Sequence, residues 1–167
     1  MVPYFAYGSN LNVKDMKFRA PDAVFAGAAR LPGWRLTFRG VADIVEDERS
    51  TCPGGLWWLS ASDVQAIDMY EGVPFLYEQV IVDVETADGP RRVLTYQMAE
   101  PLGRPGIPSG GYYSTVKRGY EDFSLDVAEL NAAVVRVRDE RESLEAGAHL
   151  LTSGMSPATR KHLALPG

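Results

Sequence analysis

Two short stretches of this 167-residue chain carry residues able to do chemistry. The first is Tyr7-Gly8-Ser9-Asn10, where an apolar run from Val2 stops and a helical pattern begins at Leu11. A strand that turns there into a helix capped by Asn10 or Asn12 leaves backbone N–H groups free at the positive helix end. A carboxylate or a phosphate fits such a place. The same residues also suit a plain strand-to-helix turn, with Gly8 for its backbone angles and asparagine for capping. Taken alone, the four residues leave both readings open. The second stretch ends on Glu71. A capping box at Ser62 and Gln65 opens a helix, Gly72 stops it and Pro74 prevents its continuation. Glu71 then lies on the last turn against the negative end of the helix dipole, which disfavours ionisation and raises its proton affinity. A carboxyl group so placed suits proton transfer near neutral pH. Asp68 lies three residues earlier, and two acids simply exposed on a helix end is the competing reading.

Other reactive residues are few. Cys52 is the one cysteine, placed by Thr51-Cys52-Pro53-Gly54-Gly55 in a loop, so no intramolecular disulfide forms and the thiol reads as unreactive. The two histidines, His149 and His162, fall in the last twenty residues and read as surface groups. There is no HExxH, paired CxxC, P-loop or strand-borne GxGxxG, so neither a metal nor a cofactor is implied. The net charge of -5 and pI near 5.1 argue against nucleic-acid and anionic-membrane partners. No apolar segment approaches the ~20 residues that span a bilayer, and the first residues lack a signal peptide's basic and apolar regions. A cytoplasmic protein is expected. Its oligomeric state is not readable.

The elements that must position these groups read as an α+β domain over residues 1–150 with a loosely packed tail over 151–167. Strands are expected at 2–7, 23–31, 34–38, 42–45, 55–59, 77–86 and 92–98, separated by Gly, Pro and Asp. Ala87-Asp88-Gly89-Pro90 makes an antiparallel hairpin of the last two. Helices are expected at 11–18, 62–70, 111–123 and from 126 to about 146. In the last, Val127, Leu130, Val134, Val137 and Leu144 recur at helical spacing, interrupted by Arg141, and dock it on the core. Arg136, Arg138 and Arg141 interleave with acids and read as a solvated face. Many short strands suggest a small barrel or curled sheet. Of the adjacent Trp57 and Trp58, one should face the core and the other the surface or a pocket rim. Arg30 suits either a substrate carboxylate or a barrel-closing ion pair with an acid such as Asp43.

Taken in order, Tyr7-Gly8-Ser9-Asn10, Ala29-Arg30-Leu31 leading into Trp34-Arg35-Leu36-Thr37-Phe38, Tyr70-Glu71-Gly72-Val73-Pro74 with Tyr77, and Pro108-Ser109 with Tyr112 resemble the γ-glutamylcyclotransferase family, AIG2-like proteins included. The similarity covers residues 2 to about 130. It implies a small mixed or antiparallel β-barrel flanked by helices, a small-molecule γ-glutamyl substrate, no cofactor, and release of 5-oxoproline. It further implies that Tyr7, Gly8, Ser9 and Asn10 bind the glutamyl group through backbone amides, with Tyr4 bordering them. Glu71 takes the place of the acid/base glutamate and Tyr112 that of a pocket tyrosine, with Tyr113 in its stead if the loop has shifted. Tyr77 is a further contact. The acidic stretch 43–53 has no counterpart in the family and lies where a leaving-group pocket could be built. A noncatalytic metabolite-binding or interaction module on the same barrel is the alternative.

Overall fold

Residues 31–33, Leu-Pro-Gly, look like the end of one strand and the start of another, yet the chain runs through them. In the computed structural model, which describes residues 1–99 and 103–153 and side chains as far as 148, Gly33 takes a left-handed φ of 78°. That angle absorbs a bulge without ending the strand. The expected segments 23–31 and 34–38 are therefore one strand, β2 (Val24–Phe38). The segments 42–45 and 55–59 likewise merge with the acidic stretch between them into β3 (Ala42–Leu59). Pairing jumps from Pro32↔Thr51 to Trp34↔Glu46, which leaves residues 47–50 without a partner on β2. Asp47 holds that excursion by accepting from the Arg49 amide and the Ser50 hydroxyl.

The remaining strands are β1 (Val2–Ala6), β4 (Tyr77–Thr86) and β5 (Gly89–Met98). They close a barrel in the order β1-β3-β2-β4-β5. All neighbours are antiparallel except the seam, where β1 meets β5 in parallel at Tyr4↔Leu94. The hairpin expected at Ala87-Asp88-Gly89-Pro90 is present, but its turn is only Ala87-Asp88: Gly89 and Pro90 already belong to β5, paired with Thr86 and Glu85. The fold is thus the expected α+β barrel flanked by helices. Its core is a continuous set of buried side chains that includes Phe5, Phe38, Ile44, Leu59, Ile67 and Tyr96.

Cys52 is not in a loop. It pairs with Leu31 inside β3, fully buried, and burial pushes its thiol pKa far upward, which agrees with the unreactive reading. Arg30 does not pair with Asp43; it grips Glu129 of the last helix at 3.1 and 2.7 Å. Asp43 is instead buried at the start of β3, bonded to Arg39 and to the amides of Ile44 and Met98. The acids of the 43–53 stretch that resolve into contacts therefore hold the barrel together.

Among the described residues, four α-helices flank the barrel. They are α1 (Val13–Arg19), α2 (Ala61–Glu71), α3 (Gly110–Asp122) and α4 (Val127–Ser153). The helix α4 extends beyond the expected end near 146 and through residue 150, where a domain limit was expected; residues 154–167, with His162, lie outside the described residues, as does the His149 side chain. Leu130, Ala133 and Val137 of α4 are buried and Leu144 is exposed, so docking is confined to its first half. The capping box of α2 sits two residues earlier than expected, at Ser60 and Asp63. Asp63 wins because its carboxylate also accepts from the Asp22 amide, fixing the start of α2 to the loop after α1.

The helix α3 lies unusually close to the chain between β1 and α1. A Cβ on Gly119 would stand 2.3 Å from Leu11 Cβ and 2.8 Å from the Asn12 amide. Gly119→Ala is therefore expected to push α3 off that turn and to destabilise the fold by about 1–3 kcal/mol in urea titrations, a larger cost than the modest gain alanine brings to an unconstrained helix.

Candidate active site

Between Tyr7 and α1 the chain makes one turn of 3-10 helix, Ser9–Leu11, before Asn12 caps α1 by accepting from the Asp15 amide. This divides the two anion-binding features that the sequence merges. The start of α1 does not face the turn's ligand space, because the Val13 amide donates to the Asp122 carboxylate at 3.0 Å. What remains is the short turn, whose first N–H groups, those of Ser9 and Asn10, have no acceptor within it. Gly8 is needed for space and not for its angles. Its φ of -119° is open to any residue, but a Cβ would lie 2.9 Å from Ala42 Cβ and 3.1 Å from the Tyr112 hydroxyl.

A small cavity opens beside this turn, lined by Tyr4, Tyr7, Gly8, Ser9, Asn10, Ala42, Glu71, Tyr77, Tyr96 and Tyr112. All eight residues singled out in the sequence lie on it. Tyr96 and Ala42 were missed, as was Arg19, which stands behind the lining. Tyr113 turns away and donates to Asn131 of α4 at 2.5 Å. Of the two tryptophans, outward Trp58 lies under Arg91 and is not part of the cavity lining. Inward Trp57 supports the site by donating its indole N–H to the Asn10 carbonyl at 3.0 Å.

Glu71 reaches the cavity because Gly72, with a left-handed φ of 67°, ends α2 at that residue. Its Oε1 accepts from Asn10 Nδ2 at 2.7 Å, and the same amide reaches the Tyr4 hydroxyl at 2.9 Å. Asn10 Oδ1 accepts from Arg19 at 2.8 Å. Because a guanidinium offers only donors, the amide has one sensible orientation, with its NH₂ towards the carboxylate. Burial raises the Glu71 pKa from 4.5 to about 7, opposed by the Arg19 charge and the Asn10 hydrogen bond. The upward direction agrees with the sequence reading, but desolvation drives it, not the helix dipole. Asp68, the second acid, is not idle on the surface either: it accepts from Tyr96 and from Gln79, each at 2.7 Å.

The backbone of Ala42 sorts two phenols. Its N–H donates to the Tyr112 oxygen at 3.1 Å, leaving the Tyr112 proton for another acceptor. Its carbonyl accepts the Tyr77 proton at 2.7 Å, leaving lone pairs on Tyr77. Tyr112 is thus set up to donate and Tyr77 to accept. Tyr7 spends its own proton on the Tyr96 carbonyl at 2.6 Å, so its side chain braces the barrel. Burial pushes the pKa values of Tyr4, Tyr7, Tyr77, Tyr96 and Tyr112 upward, which keeps these phenols neutral around one titrating carboxyl.

Comparison with known proteins agrees with this barrel and cavity. Residues 4–114 match the family model "Gamma-glutamyl cyclotransferase, AIG2-like". The chain is 32% identical over 136 residues to a gamma-glutamylcyclotransferase of Bos taurus, covering 73% of this chain and 71% of that one. It is 27% identical over 162 residues to one of Mus musculus, covering 84% and 86%. A solved structure of a gamma-glutamyl cyclotransferase superposes with a TM-score of 0.71 at 25% identity, over 79% of this chain and 85% of that chain. The chain therefore belongs to the γ-glutamyl cyclotransferase, AIG2-like family of enzymes. No helix among the described residues is long and apolar enough to cross a membrane.

The Glu71 pKa makes a stability prediction whose sign can be worked out. A carboxyl titrating at about 7 when folded and at 4.5 when unfolded binds more protons in the native state between those values. Stability attributable to it is fullest below 4.5 and falls as pH rises to 7. Glu71→Gln lacks this loss, so from pH 4.5 to 8 the variant should gain on the wild type by on the order of 3 kcal/mol in chemical denaturation.

Proposed function

We propose that the enzyme releases 5-oxoproline from a γ-glutamyl amino acid, peptide or amine, with Glu71 carrying both proton transfers. The observation that supports this best is a buried carboxyl group, its pKa raised to about 7, hydrogen-bonded to Asn10 in a cavity that the Gly8-Ser9-Asn10 turn also lines. The substrate supplies its own nucleophile in this reaction. The cavity lining accordingly has no need of a cysteine, histidine or lysine, and the described residues that line it include none.

The residues divide the work by their hydrogen-bonding capacity. The turn amides and the spare protons of Tyr112 and Tyr4 suit anionic and carbonyl oxygens of the substrate. The lone pairs of Tyr77 and the carboxylate of Glu71 suit its α-ammonium. Glu71 takes a proton from the ammonium, the freed amine attacks the γ-carbonyl, and a five-membered ring closes through a tetrahedral intermediate. The bond to the leaving nitrogen then breaks as Glu71 returns the proton to it, and the second proton shed by the cationic ring nitrogen passes by way of the same carboxylate to the freed amine, which departs as an ammonium. A carboxyl group that titrates near neutral pH can accept and donate with comparable ease. Fixing the α-carboxylate at the turn holds amine and carbonyl in one folded geometry, and orientation of this kind contributes on the order of 7–11 kcal/mol in intramolecular reactions.

A panel of γ-glutamyl dipeptides, γ-glutamylamines and glutathione, assayed for 5-oxoproline, tests the reading. At least one should be turned over by the wild type. Glu71→Gln should fold and bind that substrate while losing about 10³-fold or more in kcat. Turnover by Glu71→Gln within tenfold of wild type would remove Glu71 from the role, and tight binding with no product from any compound would favour a noncatalytic binding module. Gly8→Val should act differently, raising KM steeply or abolishing binding, because its side chain displaces the Tyr112 hydroxyl and fills the turn; isothermal titration with the panel's best substrate reads this directly.

A further inference from the structure

We propose that Arg19, which does not line the cavity, is a positioning residue that fixes the Asn10 amide against Glu71 and thereby sets the proton affinity of the carboxyl. This rests on the cyclisation reading for its kinetic consequences, although not for its electrostatic ones.

Arg19 is the last residue of α1, and its side chain runs back along the turn. Nη1 donates to Asn10 Oδ1 at 2.8 Å and approaches Ser9 Oγ at 3.4 Å, while Nη2 meets Asp15 at 3.4 Å. The guanidinium carbon lies 3.9 Å from the centre of the Tyr70 ring. Tyr70 in turn approaches Ser9 Oγ at 3.3 Å. One cation therefore binds two residues of the turn and stacks on the residue that precedes Glu71. A lysine could not do this, because a point ammonium lacks the planar fork and the face that lies on the ring.

Two effects converge on Glu71. The charge of Arg19 favours the ionised carboxyl and opposes the upward push of burial. The hydrogen bond to Oδ1 also prevents the Asn10 amide from turning its oxygen towards the carboxylate, an arrangement that would exchange an attraction for a repulsion. The other groups around Glu71 leave this role to Arg19. Tyr4 of β1, Tyr77 of β4, Tyr96 of β5 and Tyr112 of α3 are neutral phenols. The carboxylates Asp43 and Asp68 are held by Arg39 and by Tyr96 with Gln79.

The experiment compares wild type, Arg19→Met, Arg19→Lys, Asn10→Ala and the Arg19→Met/Asn10→Ala double variant. In Arg19→Met the acid limb of the kcat/KM profile should move up by about one pH unit, with kcat/KM at neutral pH about 30- to 100-fold lower and the loss mainly in kcat. Arg19→Lys should recover most of the pH shift and only part of the rate. The double variant should lose beyond Asn10→Ala only the part that the missing charge costs, and so fall short of the product of the two single losses, because the positional part of the Arg19 effect acts through the Asn10 amide. The midpoint of Glu71, followed by ¹³C NMR of its side-chain carboxyl, should rise with the kinetic limb. If Arg19→Met does not fold, Arg19→Gln carries the same comparison. An unmoved midpoint, a kcat/KM within twofold of wild type, or additive losses in the double variant would overturn the inference. If the wild type makes no 5-oxoproline, the reaction proposed above fails instead, and the carboxyl titration still decides the role of Arg19.

Discussion

The site hangs on one buried amide. Asn10 is almost fully withdrawn from solvent, and a buried primary amide is tolerable only with its hydrogen bonds made. Its NH₂ serves Glu71 of α2 and Tyr4 of β1, its Oδ1 takes Arg19 of α1, and its backbone carbonyl takes Trp57 of β3. Two strands and two helices must therefore arrive in register before this residue is satisfied. An error in any of them leaves a polar group unpaired in a low-dielectric setting, where it costs roughly 1–3 kcal/mol. The amide specifies the assembly as much as it stabilises it.

Around that amide, backbone and side chains divide the labour in a way that does not depend on formal charge. The Ala42 peptide groups assign opposite hydrogen-bonding senses to Tyr112 and Tyr77. Asp43, the next residue, is anchored to β5 through the Met98 amide and to Arg39, so Ala42 has little freedom to move. A ring of neutral phenols then surrounds a single carboxyl group. This keeps the cavity polar without placing a second negative charge beside the carboxyl, which would drive its proton affinity higher still.

What could be read from the sequence was local. The stop at Gly72, the hairpin after Thr86, an asparagine cap at Asn10 or Asn12 and the tyrosines near the turn follow from φ preferences, capping and motif, all properties of a few adjacent residues. What could not be read depends on distant partners. Leu31-Pro32-Gly33 looks like a break until β3 is alongside to turn it into a bulge. Ser60 and Ser62 both suit a helix cap, and only the Asp22 amide decides between them. Tyr96 has the sequence appearance of an ordinary strand tyrosine, while Arg19 looks like a common helix-ending base. Their places by the cavity emerge when β5 and α1 pack against the turn. The upward pKa of Glu71 was legible in direction, but its main cause, desolvation, belongs to the assembled fold.

The parallel seam between β1 and β5 carries a consequence for the making of the protein. The seam joins Tyr4 to Leu94, and bonds from Tyr7 to the Tyr96 carbonyl and from Thr95 to the Phe5 carbonyl span 89 and 90 positions of the chain. During synthesis, at about 5–20 residues per second, the Gly8-Ser9-Asn10 turn precedes the strand that encloses it by roughly 5 to 20 seconds. Throughout that interval β1 has one of its two neighbours at most, and its other side is an open edge. The turn that lines the cavity is thus among the first parts made and among the last to be enclosed.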